Sequence, residues 1–275
     1  MAPRFFFMLD FLDGHVNYYL IFGAAGLAAS ILVVCLLIRK RHVTKVEFIY
    51  LYILSAIGLF VGGHLLFFLV GLPEYIRETG PTLHSFQDFF NSLSWAASGM
   101  VFYGGLLLIL LLLYIYCKRK QLPIRRYFNI LVVTFPLFHC FGRIGCTFSG
   151  CCYGIEYHGP FALTYPAAII TEGVNDHLAD YPRFPIQPLE ALLLLILFVV
   201  LLLIYLKKGD AFPVTPVYLI SYSVIRFFDE FLRGDVARGI WGPFSTSQWI
   251  SLVIFVVTVI YLIVQKTKQP QQQLS

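Results

Sequence analysis

Seven stretches of the chain are almost continuously apolar: about 16–38, 47–71, 94–117, 127–144, 189–206, 212–232 and 248–265. A bilayer core takes about 20 apolar residues per helix, so each stretch predicts a membrane-spanning helix. The fourth and sixth carry polar residues near one end and give the weakest signals. The run from Val16 has no basic segment ahead of it and is followed by Arg39, Lys40 and Arg41, which predicts a retained span rather than a cleaved signal. In the second stretch, Gly58, Gly62 and Gly63 make a small-residue face that lets a neighbouring helix approach closely. The pattern predicts an all-α, polytopic helical membrane protein with about seven transmembrane helices. A single transmembrane domain over 1–265, followed by a short polar cytoplasmic tail over 266–275, is the simplest organisation.

Composition agrees with this reading. The 275 residues are 59% hydrophobic and 13% charged, against about 25% charged in soluble domains, and mean hydropathy is +0.77. Such a chain cannot cover its outside with polar groups, which excludes a cytosolic globular or disordered protein. The excess of 20 Lys+Arg over 15 Asp+Glu is too small to suggest a nucleic-acid partner. The basic residues set the expected orientation, because short loops rich in Lys and Arg stay cytoplasmic. The tails of spans one, three, five and seven hold 13 of the 20, including every Lys. The N-terminus is therefore expected outside and the C-terminus in the cytoplasm.

Charge within a span costs about 2.5–3.5 kcal/mol per residue on insertion scales, so each charged residue there asks for a reason. Three groups stand out, all toward the outward side. The first is GRIGCTFSGCCYG, residues 142–154, where Arg143 lies among Gly142, Gly145, Gly150 and Gly154 as the fourth span leads into a loop. Glycines there allow irregular backbone and close approach of a ligand, and a planar guanidinium binds two oxygens at once. The plain alternative is a helix end with a snorkelling arginine. The second is RFFDEFLR, 226–233, whose Arg226, Glu230 and Arg233 share one helix face. It reads either as a self-neutralising network or as an arginine held by Glu230 for an anionic ligand. The third is QPLE, with Gln187 and Glu190 at the start of span five, where the helix dipole favours an acid anyway. A further run, SGMVFYGG, puts Tyr103 between glycines, where a packed aromatic is the ordinary role. Arginines lined by glycines and aromatics at one membrane face suggest a phospholipid headgroup as ligand, and no P-loop is present.

These residues resemble the prolipoprotein diacylglyceryl transferase family. GRIGCTFSGCCYG is similar to that family's GRIGNFINGE-x-YG, matching at Gly142, Arg143, Ile144, Gly145, Gly150, Tyr153 and Gly154. SGMVFYGGL resembles its GGMSFHGGL, QPLEA its SQLYEA, IRFFDEFLRGD its FRFxxEFFRxPD, and FSTSQWISL its LSMGQWLSL. The resemblance implies a multi-pass enzyme of the bacterial inner (plasma) membrane, with its active site toward the outer leaflet. It implies transfer of the diacylglyceryl group of phosphatidylglycerol to the lipobox cysteine of a prolipoprotein signal peptide, releasing glycerol 1-phosphate, with no metal or other cofactor. It further implies that Arg143 and Arg226 bind the phosphate, that Glu230 orients Arg226, and that Glu190, Gln187, Arg233, Gly142, Gly145 and Gly154 line the substrate site.

The departures fall on the thiol-activating half. Cys146, Ser149 and Cys151 stand where the family has Asn, Asn and Glu, and Tyr103 where it has a His proposed as base. A tyrosine with an ordinary pKa near 10 is a poor base at neutral pH. His139 is a second candidate base, or a packed histidine. Cys140, Cys146, Cys151 and Cys152 admit three readings: apolar replacements, an outward-face disulfide such as Cys146 to Cys151, or a metal or redox site, although C-x5-C-x4-C-C matches neither zinc nor thiol-exchange spacing. The rival functions are a related transferase with another acceptor, a membrane thiol oxidoreductase, which would leave Arg226 and Glu230 idle, and a non-catalytic lipid-binding relative.

Overall fold

A computed structural model of the chain describes residues 18–41, 45–79, 100–165, 181–234 and 239–272. The helices there are α1 (Tyr18–Arg41), α2 (Lys45–Thr79), α3 (Phe102–Arg119), α4 (Ile124–Phe148), α5 (Ile186–Lys208), α6 (Val214–Asp229) and α7 (Thr246–Gln272). Strands β1 (Ile240–Trp241) and β2 (Phe244–Ser245) form a small antiparallel hairpin before α7. Six of the helices are long and apolar enough to cross a membrane, so the chain is a multi-pass, all-α membrane protein.

The expected spans differ from the observed helices in four places. α6 has only 16 residues, about 24 Å at 1.5 Å per residue, short of a core about 30 Å thick. Its sequence ends in Arg226 and Asp229, both buried, so polar packing rather than bilayer thickness sets its length. The third helix begins at Phe102, after an extended Val101 whose N–H bonds the Gly63 carbonyl at 3.0 Å; positions 94–99 of the expected span lie outside the described residues. α4 continues to Phe148 rather than 144. The polar tail expected from 266 stays helical through Gln272.

The described residues form two compact units, one made of the chain up to Leu37 together with Asn129 onward, the other of Ile38–Phe128. In the second unit, α2 and α3 pack through the expected glycine face. A side chain on Gly62 would run into the Gly104 carbonyl, one on Gly104 into the Gly62 carbonyl, and one on Gly58 into the backbone of Ile109. Two helices in such contact need residues without side chains at the crossing.

In the first unit, α4 meets α1 in the same way: Gly26 lies against Phe141, Phe22 stacks on Phe148 with ring centroids 5.0 Å apart, and Gly145 sits over Tyr19. Asn129 on α4 fixes the start of α6, donating to the Phe212 carbonyl at 2.9 Å and accepting from the Val214 N–H at 3.1 Å. An aromatic column continues along these helices, with Phe135 edge-on to Tyr218, Tyr218 stacked on Tyr222, and Tyr222 edge-on to His139.

A buried arginine–carboxylate site

α4 ends in a helix-stop of defined chemistry. Gly150 takes φ +65°, its N–H reaches back to the Thr147 carbonyl at 3.5 Å, and the Cys151 N–H reaches the Cys146 carbonyl at 3.2 Å. This is a Schellman stop, in which a left-handed glycine lets the last carbonyls find donors. Gly142, Arg143 and Gly145 are consequently helical, not part of an irregular loop, and Arg143 projects from a regular turn of α4. The chain after the stop is stitched to the end of α6: Ile155 N–H bonds the Leu232 carbonyl at 3.0 Å and Gly234 N–H the Tyr153 carbonyl at 2.9 Å. Gly154 and Gly234 permit that crossing, since a side chain on Gly154 would strike the Phe184 carbonyl and one on Gly234 the Gly154 carbonyl. The open backbone expected at Gly154 is therefore filled by protein, and Gly145 is covered by α1. Gly142 alone of the three faces open space.

Arg143 and Arg226 are both buried, and each is held by a carboxylate. Arg143 Nη2 lies 3.0 Å from Glu190 Oε1, and Arg226 Nη2 lies 2.6 Å from Glu230 Oε2. The acids are 1% and 3% exposed, so these are desolvated pairs rather than surface ones. Each arginine keeps one buried N–H group, Arg143 Nε and Arg226 Nη1, with no hydrogen-bond partner among the described residues. His139 Nε2 lies 3.9 Å from Glu190 Oε1, on the same carboxylate as Arg143. Gln187 donates to the Cys151 carbonyl at 2.9 Å and to the Tyr165 hydroxyl at 2.8 Å, tying α5 to the loop after α4. Burial pushes the Tyr165 phenol above its usual range, so it stays neutral there.

Arg233 departs from the expected stripe. The helix closes at Asp229, a 3-10 turn covers Glu230–Leu232, and Arg233 is extended and bridged to Gly154. Two residues were missed in the sequence. Asp229 is 3% exposed, lies within electrostatic reach of Glu190, Arg226, Arg143 and Arg233, and has an unpartnered Oδ2 among the described residues. Its place three residues after Arg226 was the available signal. Ser247 accepts from Arg226 Nη2 at 3.2 Å, a contact between helices that no spacing could announce. Tyr103 is the second residue of α3 in the other compact unit, and buried. Cys146, Cys151 and Cys152 bring their sulfurs within 4.8 Å of one another.

Fold and site define a multi-pass helical membrane protein with paired, desolvated arginines, an arrangement fit for an anionic group. Residues 7–264 match the prolipoprotein diacylglyceryl transferase family. The chain belongs to that family and is thereby a membrane transferase. It is 30% identical to the phosphatidylglycerol–prolipoprotein diacylglyceryl transferase of Clostridium tetani (strain Massachusetts / E88) over 85% of this chain and 87% of the relative. It is 30% identical to the second such enzyme of Clostridium perfringens (strain 13 / Type A) over 78% of each chain. It is 28% identical to that of Idiomarina loihiensis over 82% of this chain and 79% of the relative.

Proposed function

We propose that this chain transfers the diacylglyceryl group of phosphatidylglycerol to the lipobox cysteine of a prolipoprotein, as the names of its relatives describe for the lipid and the protein. In the reaction the acceptor sulfur attacks the glyceryl carbon esterified to phosphate. A thioether forms, the C–O bond breaks, and glycerol 1-phosphate leaves with the bonding electrons. The acceptor thiol gives up its proton to a base on the protein.

The observation that carries this reading is the pair of buried guanidinium N–H groups, Arg143 Nε and Arg226 Nη1, without hydrogen-bond partners among the described residues while each arginine is held by an acid. Preorganised donors of this kind stabilise charge as it develops on a leaving phosphate, and they are worth most where water is excluded. Glu230 and Ser247 orient Arg226, and Glu190 orients Arg143. A cavity of about 160 Å³ lined by Ser223, Val224, Phe227, Phe228, Ser251, Leu252 and Phe255 has the apolar walls an acyl chain needs. Gly142, with nothing within 4 Å of where a side chain would start, leaves room for lipid against α4. The distribution of Lys and Arg supports an external N-terminus, a cytoplasmic C-terminus and a site toward the outer leaflet of the bacterial plasma membrane.

The test is release of glycerol phosphate from phosphatidylglycerol by the purified chain, with and without a lipobox peptide. Peptide-dependent release, lost in Arg143→Ala and in Arg226→Ala, is the expected result. Release that survives Arg143→Ala would show that the phosphate binds elsewhere.

A further inference from the structure

Cys146 closes α4, and Cys151 and Cys152 follow its glycine stop. In a Schellman stop the residue two past the helix comes back over the residue three from its end, and their side chains touch. Here those two residues are Cys151 and Cys146, joined by the backbone bond at 3.2 Å. Cys152 adds the third sulfur from a left-handed backbone, φ +56°, that residues with side chains rarely adopt. All three sulfurs lie within 4.8 Å of one another, one buried and two half-buried. None is in a disulfide.

We propose that Cys146, Cys151 and Cys152 form a three-thiolate binding site for a soft d10 cation, Cu⁺. Thiolate ligands select soft ions such as Cu⁺ and Zn²⁺ over hard ones. With metal–sulfur bonds of about 2.3 Å, a trigonal ion needs its sulfurs about 4 Å apart, a small contraction of the spacing already present. Among the described residues the group closes at three ligands. Zinc favours four, so a three-coordinate ion fits the donor set better. Binding forms three Cu–S bonds and releases to solvent the protons still carried by the thiols; no electron changes hands. The loaded site carries net charge −2, and Arg233 and Arg143, both close enough to act on Cys152, offset it. The site adds to the transferase chemistry and does not depend on it.

The experiment uses the full chain in detergent, reduced and kept anaerobic, titrated with Cu⁺ in competition with a Cu⁺-selective chelator. One Cu⁺ per chain is expected, with near-ultraviolet sulfur-to-copper absorption and a coordination shell of three sulfurs by X-ray absorption. Cys151→Ser and Cys152→Ser should each weaken binding at least tenfold, while Cys35→Ser and Cys117→Ala bind as the parent does. A mutation-free readout guards against misfolded variants: loading with Cu⁺ should protect Cys146, Cys151 and Cys152 from alkylation and leave Cys35 reactive. The proposal is overturned if the chelator strips all copper, if either serine variant binds as tightly as the parent, if the three thiols alkylate equally with and without Cu⁺, or if two of them are joined in a disulfide in the anaerobic protein.

Discussion

Arg226 and Ser247 meet across two helices, Nη2 donating to Oγ at 3.2 Å, while the same nitrogen lies 2.6 Å from Glu230. One nitrogen of the guanidinium is thus gripped twice, while Nη1 has no hydrogen-bond partner among the described residues. Ser247 itself is placed by its own helix end. Ser245 accepts from the Gln248 N–H at 3.3 Å and Gln248 Oε1 accepts from the Ser245 N–H at 3.0 Å, a reciprocal cap that starts α7.

Replacing Ser247 with Ala should misaim Arg226 without unfolding the protein. A hydrogen bond to a charged group is worth about 1.5–3 kcal/mol. The expected outcome is a fall in kcat/KM of about tenfold or more in the peptide-dependent release assay, with thermal midpoint nearly unchanged. Activity equal to the parent would mean that Glu230 alone orients Arg226.

The Arg143–Glu190 pair, catalytic in the proposed reaction, has the geometry of a stability element as well. Both side chains are buried at 3.0 Å, and removing one partner from such a pair leaves an uncompensated charge that costs about 3–5 kcal/mol. Glu190→Ala should lower the thermal midpoint markedly. The double change Arg143→Met with Glu190→Leu should recover much of it and still be inactive, since the charge is gone from both sides. A Glu190→Ala protein as stable as the parent would contradict the geometry.

The two glycines Gly142 and Gly154 should respond in opposite ways to alanine. At Gly154 the new methyl meets the Phe184 carbonyl, and overpacking of this kind costs about 1–3 kcal/mol. At Gly142 nothing lies within 4 Å, and Ala in a helix is about 0.5–1 kcal/mol better than Gly. Thermal unfolding should therefore show Gly154→Ala less stable and Gly142→Ala at least as stable as the parent. If lipid approaches α4 at Gly142, the second variant loses transfer activity all the same.

How far the sequence carried these features follows from which interactions are local. The Gly58–Gly62 face and the Arg226–Glu230 pair are periodic or four residues apart, and the structure has both; of the seven expected spans, six are helices long enough to cross a membrane, while α6 closes early at Asp229. Arg233 was misplaced because periodicity assumes the helix continues, whereas pairing of Gly234 with Tyr153 pulls the backbone out of it. Gly142 and Gly145 were read as loop formers, yet they lie in α4, where Gly145 serves close contact with α1. The cysteine trio escaped metal-spacing rules because a glycine stop, not a knuckle of regular spacing, brings the sulfurs together. Ser247 and Asp229 matter through partners on other elements, which one-dimensional patterns do not show.

The thiol-activating base is the last point that mutation can decide. His139 lies 3.9 Å from Glu190, the carboxylate that also holds Arg143, and packs edge-on against Tyr222. An imidazole is the usual general base near neutral pH, and a phenol is not. His139→Ala should therefore lower kcat by about a hundredfold or more, the usual contribution of a general base, whereas Tyr103→Phe should cost only a few-fold. The loss at His139 should shrink as pH rises through about 8.5, where a free thiol ionises unaided and needs no base. A purely packing role for the histidine would lower activity equally at every pH, and a larger loss in Tyr103→Phe would hand the proton to the tyrosine instead.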